Sequence, residues 1–194
     1  IDNSALPTAS INPLSPTFEG FDALIYDSEE ADGFEIGLKS NLFDNNMRIN
    51  ATYYKYEYTD LQVQLFDASI IQFSTFNAGA VETEGFEADM LWYTDIEGLT
   101  LRGQFAWTDA VNTGDFFNTS GVNLKGSERS YSPEIAGSLG LSYDSSLFSG
   151  WRYTFSTDAR YSDDYAWGVY RNSPRQDSYS VSYTHLTLPT RRGV

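Results

Sequence analysis

Residues 99–108 read LTLRGQFAWT, and apolar and polar side chains alternate along this stretch with a period of two. Leu99, Leu101 and Trp107 share one phase, whereas Arg102 and the other even-numbered residues share the second phase. Successive side chains of a β-strand point to opposite faces of its sheet, so the pattern predicts a strand with one apolar and one polar face.

The same alternation recurs along much of the chain, whereas helical periodicity is rare. It is regular at 86–92, 135–143 and 151–161 and less regular at 34–39 and 47–65. Strands with one apolar and one polar face are typical of antiparallel sheets. The sequence therefore predicts an all-β fold, arranged as an antiparallel up-and-down meander.

The connections between these segments alternate in length. Short turns are expected at 44–46, 94–98 and 144–150, and longer polar loops at 111–131 and 166–177. Two strands are expected at 47–67 and 70–94, far longer than the roughly 5–6 residues usual in soluble sheets. Long strands with tight turns at one end and long loops at the other are typical of outer-membrane barrels, whose closure satisfies every backbone group in lipid.

We therefore predict three regions. Residues 1–30 form an irregular lead-in or extracellular loop, residues 31–180 form an incomplete outer-membrane β-barrel, and residues 181–194 form a separate tail. Both ends are expected to be truncated.

Two glycines in the predicted strands are expected to allow a bend or bulge, because neither has a side chain; they are Gly79 and Gly85.

Aromatic residues cluster toward both ends of the predicted strands, as the two interfaces of a membrane would select. The alternative is that Tyr and Trp simply favour strands. The cluster at 53–58, which contains four tyrosines, could stack a sugar or aromatic ligand, but anchoring at the membrane interface explains it with fewer assumptions.

The composition excludes several functions. The chain has 12 Lys and Arg against 27 Asp and Glu, a net charge of -15, so it is not expected to bind nucleic acid. It has no cysteine, and its single histidine, His185, lies in the tail. Without these residues the chain cannot form a histidine-containing triad, a thiol site or a zinc site with nitrogen or sulfur ligands. We predict no enzymatic activity, no cofactor and no metal site.

Two carboxylate pairs, Glu29-Glu30 and Asp163-Asp164, could bind a cation or serve acid–base chemistry. Adjacent residues on a strand point to opposite faces, so neither pair would converge on one site. Both pairs are interpreted as loop acids.

Three stretches carry a family resemblance. They are EADGFEIGLKSNLFDNNMRINATYYKYEYTDLQVQLFD at 30–67, NAGAVETEGFEADMLWY at 77–93 and GLTLRGQFAWTDA at 98–110. Together they resemble the C-terminal part of the barrel in TonB-dependent outer-membrane receptors. The matching positions are Glu30, Glu35, Gly37, Lys39, Phe43, Asp44, Asn77, Ala78, Gly79, Gly85 and Glu87.

The resemblance implies active import, across the bacterial outer membrane, of a scarce ligand such as a ferric siderophore, cobalamin or a glycan. It implies four partners: outer-membrane lipid, the plug domain of the same full-length chain, the TonB energy-transducing complex acting through an N-terminal part, and a small extracellular ligand. Two alternatives stay open. The chain could be part of a diffusion porin, or a soluble acidic β-rich module for binding or adhesion.

Nine charged residues fall on the polar phase and are expected to face the lumen of a barrel; the alternative is a solvated strand face. They are Glu35, Lys39, Arg48, Glu87, Asp89, Arg102, Arg152, Asp158 and Arg160. The best ligand-contact candidate is the loop at 111–131, with Phe116, Phe117 and Asn118, because loops on rigid scaffolds commonly carry binding residues.

The tail at 181–194 has an unusual sequence. Its first ten residues, VSYTHLTLPT, resemble one reading frame of a transposon-based sequencing adapter, and the next four fit an index followed by GTG. We interpret the segment as non-native and exclude it from fold reasoning. The alternative is an ordinary strand followed by a polar tail.

Overall fold

The computed structural model describes residues 26–67, 72–77, 79–117, 121–147, 151–168 and 173–188. Among these residues all the regular structure is β-strand, and no helix has the length and apolar character needed to cross a membrane. The strands are β1 (Glu30–Leu42), β2 (Met47–Thr59), β3 (Gln62–Asp67), β4 (Gln72–Asn77), β5 (Ala80–Tyr93), β6 (Leu99–Asn112), β7 (Ile135–Leu147), β8 (Trp151–Ser162), β9 (Tyr165–Ala166), β10 (Arg175–Gln176) and β11 (Tyr179–Thr187).

Seven of these strands form one antiparallel sheet in the order β1-β2-β5-β6-β7-β8-β11. The strands left out form two small hairpins, β3–β4 and β9–β10, which are inserted in the connections. The prediction of an all-β, antiparallel up-and-down meander is confirmed. Within the described residues the sheet is not closed, because β1 and β11 each pair on one side only.

Tight turns join β1 to β2 and β5 to β6, as predicted. Phe43, Asp44 and Asn45 have φ values of 52°, 53° and 69°, and the Asn46 amide donates to the Phe43 carbonyl at 2.9 Å. Asn and Asp tolerate this left-handed conformation better than most residues, which favours the turn at this position. The prediction of a turn at 144–150 is wrong for residues 144–147, which belong to β7, and residues 148–150 lie outside the described part.

The prediction of unbroken strands at 47–67 and 70–94 is wrong. Asp60 and Gly79 have φ values of 52° and 61°, and at these points the chain leaves the main sheet. Asn77 holds the break, since its side chain accepts from the Asp27 amide at 2.7 Å and donates to the Asp27 carbonyl at 3.0 Å. Alternation continues through β3 and β4, so the pattern alone did not reveal the interruption.

The register gives the sheet two chemically different faces. Directly opposed residues point to the same face. One such row is apolar across five strands and consists of Leu42, Met47, Trp92, Leu101 and Leu141. No described element covers this face: Ile36, Leu38 and Leu139 are 68%, 62% and 60% exposed. The buried hydrophobic side chains of the described residues, Val81, Phe116, Leu124 and Ala166, all lie toward the long loops.

The register of strand β11 places polar residues on the apolar face of the sheet and apolar residues on the polar face. Ser182 and Thr184 lie opposite Ala159 and Thr157, on the apolar face, whereas Tyr183 lies opposite Asp158, on the polar face. All nine residues of β11 are exposed. A shift of one residue exchanges the two faces of a strand, so β11 is out of phase with the other six strands from Val181 to His185, whereas Leu186 lies opposite Phe155 on the apolar face. It also crosses the predicted boundary at 180/181.

Gly85 keeps regular pairing, with Tyr54 on one side and Thr108 on the other, so no bulge forms there. The absence of a side chain serves another purpose. The Tyr54 ring crosses over Gly85, and its hydroxyl reaches the Thr108 hydroxyl on β6 at 3.1 Å. A Cβ at position 85 would lie 2.5 Å from Tyr54 Cζ and 2.7 Å from the Trp107 carbonyl oxygen.

We therefore expect Gly85→Ala to destabilise the sheet by about 1–3 kcal/mol, the usual cost of overpacking. The measurement is urea unfolding in detergent micelles. Gly103→Ala is the matched control, because a Cβ there would meet its nearest neighbours, Met90 and Leu139, at 3.7 and 3.9 Å. Equal midpoints for the two variants would contradict the ring-crossing explanation.

Candidate functional site

The polar face of the sheet is its hollow side. Its side chains line an open concavity of about 880 Å³, and those that carry polar groups include Asn50, Glu87, Asp89, Gln104, Ser138 and Arg160. The register joins several of these in one row, from Lys39 on β1 through Asn50 and Asp89 to Arg160 on β8. A continuous polar surface therefore crosses six strands.

All nine residues predicted to face the lumen fall on this hollow face, as the pairing of their strands shows. The residues that the sequence pattern assigned to the polar phase therefore share one face of the paired sheet. Because the sheet is not closed within the described residues, their exposure to a lumen stays a prediction.

Two of the nine residues form an ion pair with each other. Arg102 on β6 reaches across β7 to Asp158 on β8, with Nη2 and Oδ1 2.6 Å apart. Gly140 lies directly between them, and a Cβ there would lie 2.5 Å from Arg102 Nε. Both side chains are more than a third exposed, so the pair contributes little stability and serves mainly to orient the guanidinium.

Asp89 has a different partner. Asn50 on β2 donates from Nδ2 to both Asp89 carboxylate oxygens at 3.0 Å. Apart from Arg102 and Asp158, none of the nine forms an ion pair among the described residues. Of these, Glu87, Asp89 and Arg160 line the concavity, so their charges are available to a molecule that enters it.

On the opposite face the apolar phase ends at a charged rim near the long loops. Lys55 contacts Glu82 at 2.9 Å and Glu84 at 3.3 Å, and Asp109 lies opposite Glu84 on β6. Sequence reasoning did not single out this rim. The signal was present, because the apolar phase of β2 becomes charged after Tyr53.

The tyrosine cluster does not lie on one face. Tyr53 points to the apolar face, opposite Phe86, whereas Tyr54, Tyr56 and Tyr58 point to the hollow polar face. The interpretation of the whole cluster as membrane-interface anchors is therefore wrong for these three residues, because alternation along β2 places them away from the apolar side.

The described residues of the predicted ligand-contact loop, 111–117 and 121–131, have a small core of their own. Phe116 and Leu124 are only 5% and 2% exposed. The Asn123 carboxamide oxygen accepts from the Phe116 amide at 3.3 Å and the Lys125 amide at 3.0 Å. The Phe116 ring is used for packing and offers no surface to a ligand in this conformation. Contact by Phe117, which is partly exposed, stays a prediction, and Asn118 lies outside the described residues.

Arg175 joins this loop to the next one. It donates from Nε to Asp164 Oδ2 at 2.8 Å and also pairs with Glu128 of the 113–134 loop. The two carboxylates raise the pKa of Arg175 further above its ordinary value, so the guanidinium keeps its charge. Sequence reasoning missed this contact, since its members are distant in the chain.

The two carboxylate pairs do not form sites. Asp164 binds Arg175, while the neighbouring Asp163 accepts from the Asp164 amide at 3.0 Å. Glu29 accepts from the Gln62 amide at 2.7 Å, and Glu30 begins β1. The interpretation of both pairs as loop acids is confirmed for Glu29, Asp163 and Asp164 and is wrong for Glu30, which lies on a strand.

Replacing Arg175 should loosen the loops. We expect Arg175→Gln to increase tryptic cleavage after Lys125 several-fold, because cleavage requires local opening of the loop. Arg152→Gln is the control, since it removes the same charge at the opposite end of the sheet. The measurement is the rate of appearance of the cleaved band; equal rates in the two variants would show that Arg175 does not restrain the loop.

Comparisons with known proteins agree with this architecture. The model of the family described as TonB dependent receptor-like, beta-barrel matches residues 7–188. The match includes most of the segment that sequence reasoning set apart as a tail. A search among curated protein sequences gives no match.

Three solved structures illustrate the similarity. The siderophore receptor PiuA from Acinetobacter baumannii is 22% identical with a TM-score of 0.67, over 84% of this chain and 23% of that receptor. The ferric yersiniabactin uptake receptor FyuA from Yersinia pestis is 14% identical (TM-score 0.64, 81% and 22%). The ferric preacinetobactin receptor BauA from Acinetobacter baumannii is 16% identical (TM-score 0.61, 80% and 22%).

At these identities the structural similarity shows the fold alone, and the chain spans less than a quarter of each receptor. The family model is more informative, because it matches most of the chain. This chain belongs to the TonB-dependent receptor-like β-barrel family.

Proposed function

We propose that the chain forms part of the wall of an outer-membrane receptor that actively imports a scarce extracellular ligand. The observation that carries the proposal is a family-matched sheet with an uncovered apolar face and a hollow polar face. Members of this family are receptors and transporters rather than enzymes, and their barrels lie in the outer membrane.

The dimensions of the apolar face support a membrane position. On β6 the apolar phase runs from Leu99 to Trp107, and its next member is Asp109. Eight residue steps extend about 27 Å along a strand, or about 21 Å in height at a tilt of about 40°. The lipid-facing band of outer-membrane barrels is about 25 Å tall. The rim around Lys55 would then mark the outer edge of this band.

The structural neighbours favour a ferric siderophore among the ligands that the family resemblance implies. Their names describe siderophore and ferric-complex receptors. The plug domain, the TonB energy-transducing complex and outer-membrane lipid are the proposed partners. The hollow polar face, with its unpaired charges, would surround the plug and the transport path.

The tail is a separate proposal. We infer that residues 181–194 are not native sequence, because the first ten resemble a translated adapter and five of them, from Val181 to His185, pair in inverted phase. The test is the DNA at codons 181–194. Identity with the adapter at every base would support the inference, and any synonymous departure would count against it.

One pair of variants separates a membrane wall from a soluble module. Leu139→Arg places a charge in the middle of the apolar face, where lipid exposure costs about 2–4 kcal/mol. Gln104→Arg on the neighbouring strand β6 points to the polar face, opposite Asp89 and Ser138, and should be nearly neutral. The measurement is folding in lipid vesicles, followed by heat-modifiable gel migration. Similar folding of both variants would contradict a lipid-facing position for Leu139.

Transport itself separates a receptor from a diffusion porin. We expect a receptor that contains this chain to support uptake of a radiolabelled ferric siderophore by iron-limited cells, and to lose uptake when the TonB gene is deleted. Active import requires that complex, whereas diffusion does not. Uptake that continues without TonB would overturn the receptor proposal.

A further inference from the structure

Three tyrosines form a stripe on the hollow polar face near the long loops. Tyr54, Tyr56 and Tyr58 occupy alternate positions of β2, with ring centroids 6.1 and 6.3 Å apart and interplanar angles of 36° and 39°. Each is partly exposed. The three rings therefore form a continuous aromatic surface, which will be called the tyrosine stripe.

Small residues on the neighbouring strands let these rings lie across the sheet. Tyr56 lies over Gly33 on β1, where no Cβ could be accommodated, and Tyr54 lies over Gly85 on β5. The residues opposite Tyr58 are Ala31 and Val81. Apart from Glu35, the residues directly opposite the three tyrosines are Gly, Ala, Thr or Val, so little side-chain bulk covers the rings from these rows.

The charges beside the stripe are negative. Glu35, directly opposite Tyr54 on β1, hydrogen-bonds Tyr56, and Glu87 follows Gly85 on the same face of β5. The basic residues on this face of β1, β2, β5 and β6 all lie closer to the short turns; they are Lys39, Arg48 and Arg102. Arg129 approaches from the loop but donates to Asn112, two strands from Tyr58.

An aromatic surface flanked by carboxylates selects a particular chemistry. The faces of tyrosine rings attract cations within about 6 Å of the centroid. A guanidinium or ammonium group can contact a ring and a carboxylate together, and a guanidinium can bind the carboxylate with two hydrogen bonds. An anionic ligand would meet the carboxylates without any compensating positive charge at this point.

We propose that the tyrosine stripe, with Glu35 and Glu87, binds an organic cation carried by the imported ligand. The stripe lies at the loop end of the hollow face, which a solute arriving from the loop side meets first. The proposal rests on the proposed function only in taking this end as the side of ligand entry. It adds a chemical class, since it requires a ligand bearing an ammonium or guanidinium group.

The test measures binding of Nα-acetyl-L-argininamide (argininamide below) and Nα-acetyl-L-citrullinamide (citrullinamide below) to the intact receptor in detergent micelles by titration calorimetry. The two probes have nearly the same shape, but only argininamide is charged, because acetylation removes the α-ammonium charge from both. We expect argininamide to bind at least threefold more tightly. We expect Tyr56→Leu to weaken argininamide binding about three- to thirtyfold, which is the range that cation–π energies imply.

Three further variants keep the test specific. Tyr56→Phe retains the ring and should retain most of the affinity, and Glu35→Gln should weaken it. Tyr53→Leu changes the neighbouring tyrosine on the opposite face and should leave affinity unchanged. If Tyr56→Leu does not fold, as judged by heat-modifiable migration, Tyr58→Leu near the end of the strand replaces it.

Equal binding of the two probes, or unchanged affinity in a folded Tyr56→Leu or Tyr58→Leu receptor, would overturn the proposal. TonB-dependent uptake without selective argininamide binding would overturn this site while leaving the receptor function in place. Selective binding without TonB-dependent uptake would support the site and contradict the transport function.

Discussion

Backbone pairing in a fixed register is the constraint on which the rest of the structure depends. Each strand of the main sheet contributes alternate side chains to two faces, so one shift of register would move every apolar residue to the polar side. Six strands keep the same phase, which produces apolar rows such as that of Leu42 and Trp92 and a polar row from Lys39 to Arg160. Strand β11 departs from this phase, and the difference is visible only in the register.

Glycines at two positions extend interactions beyond neighbouring strands. Gly85 lets Tyr54 reach Thr108, and Gly140 lets Arg102 reach Asp158. In each case a long side chain crosses the intervening strand because no Cβ stands in its path. Side-chain contacts on the polar face thus connect strands that are not neighbours, in addition to the backbone hydrogen bonds between neighbouring strands.

The two ends of the sheet differ in the length and packing of their connections. At one end, the described turns are tight and consist largely of residues that tolerate positive φ. At the other end, the connections are long, and the described residues of the 113–134 loop are held by the burial of Phe116 and Leu124 and by the contact of Arg175 with Glu128. The tyrosine stripe lies on the hollow face toward this loop end, where the structure combines aromatic rings with carboxylates.

The sequence by itself determined the fold class, the phase of the nine charged residues and the positions of two tight turns, because alternation and turn chemistry are local properties. The family resemblance was also visible in the sequence, as short motifs that occur in a fixed order along the chain. It did not determine the breaks at Asp60 and Gly79, the burial of Phe116 or the division of the tyrosine cluster between two faces. Only the tertiary structure decided these features, since each depends on backbone angles or on partners distant in the chain, such as Asn77 with Asp27 and Arg175 with Glu128.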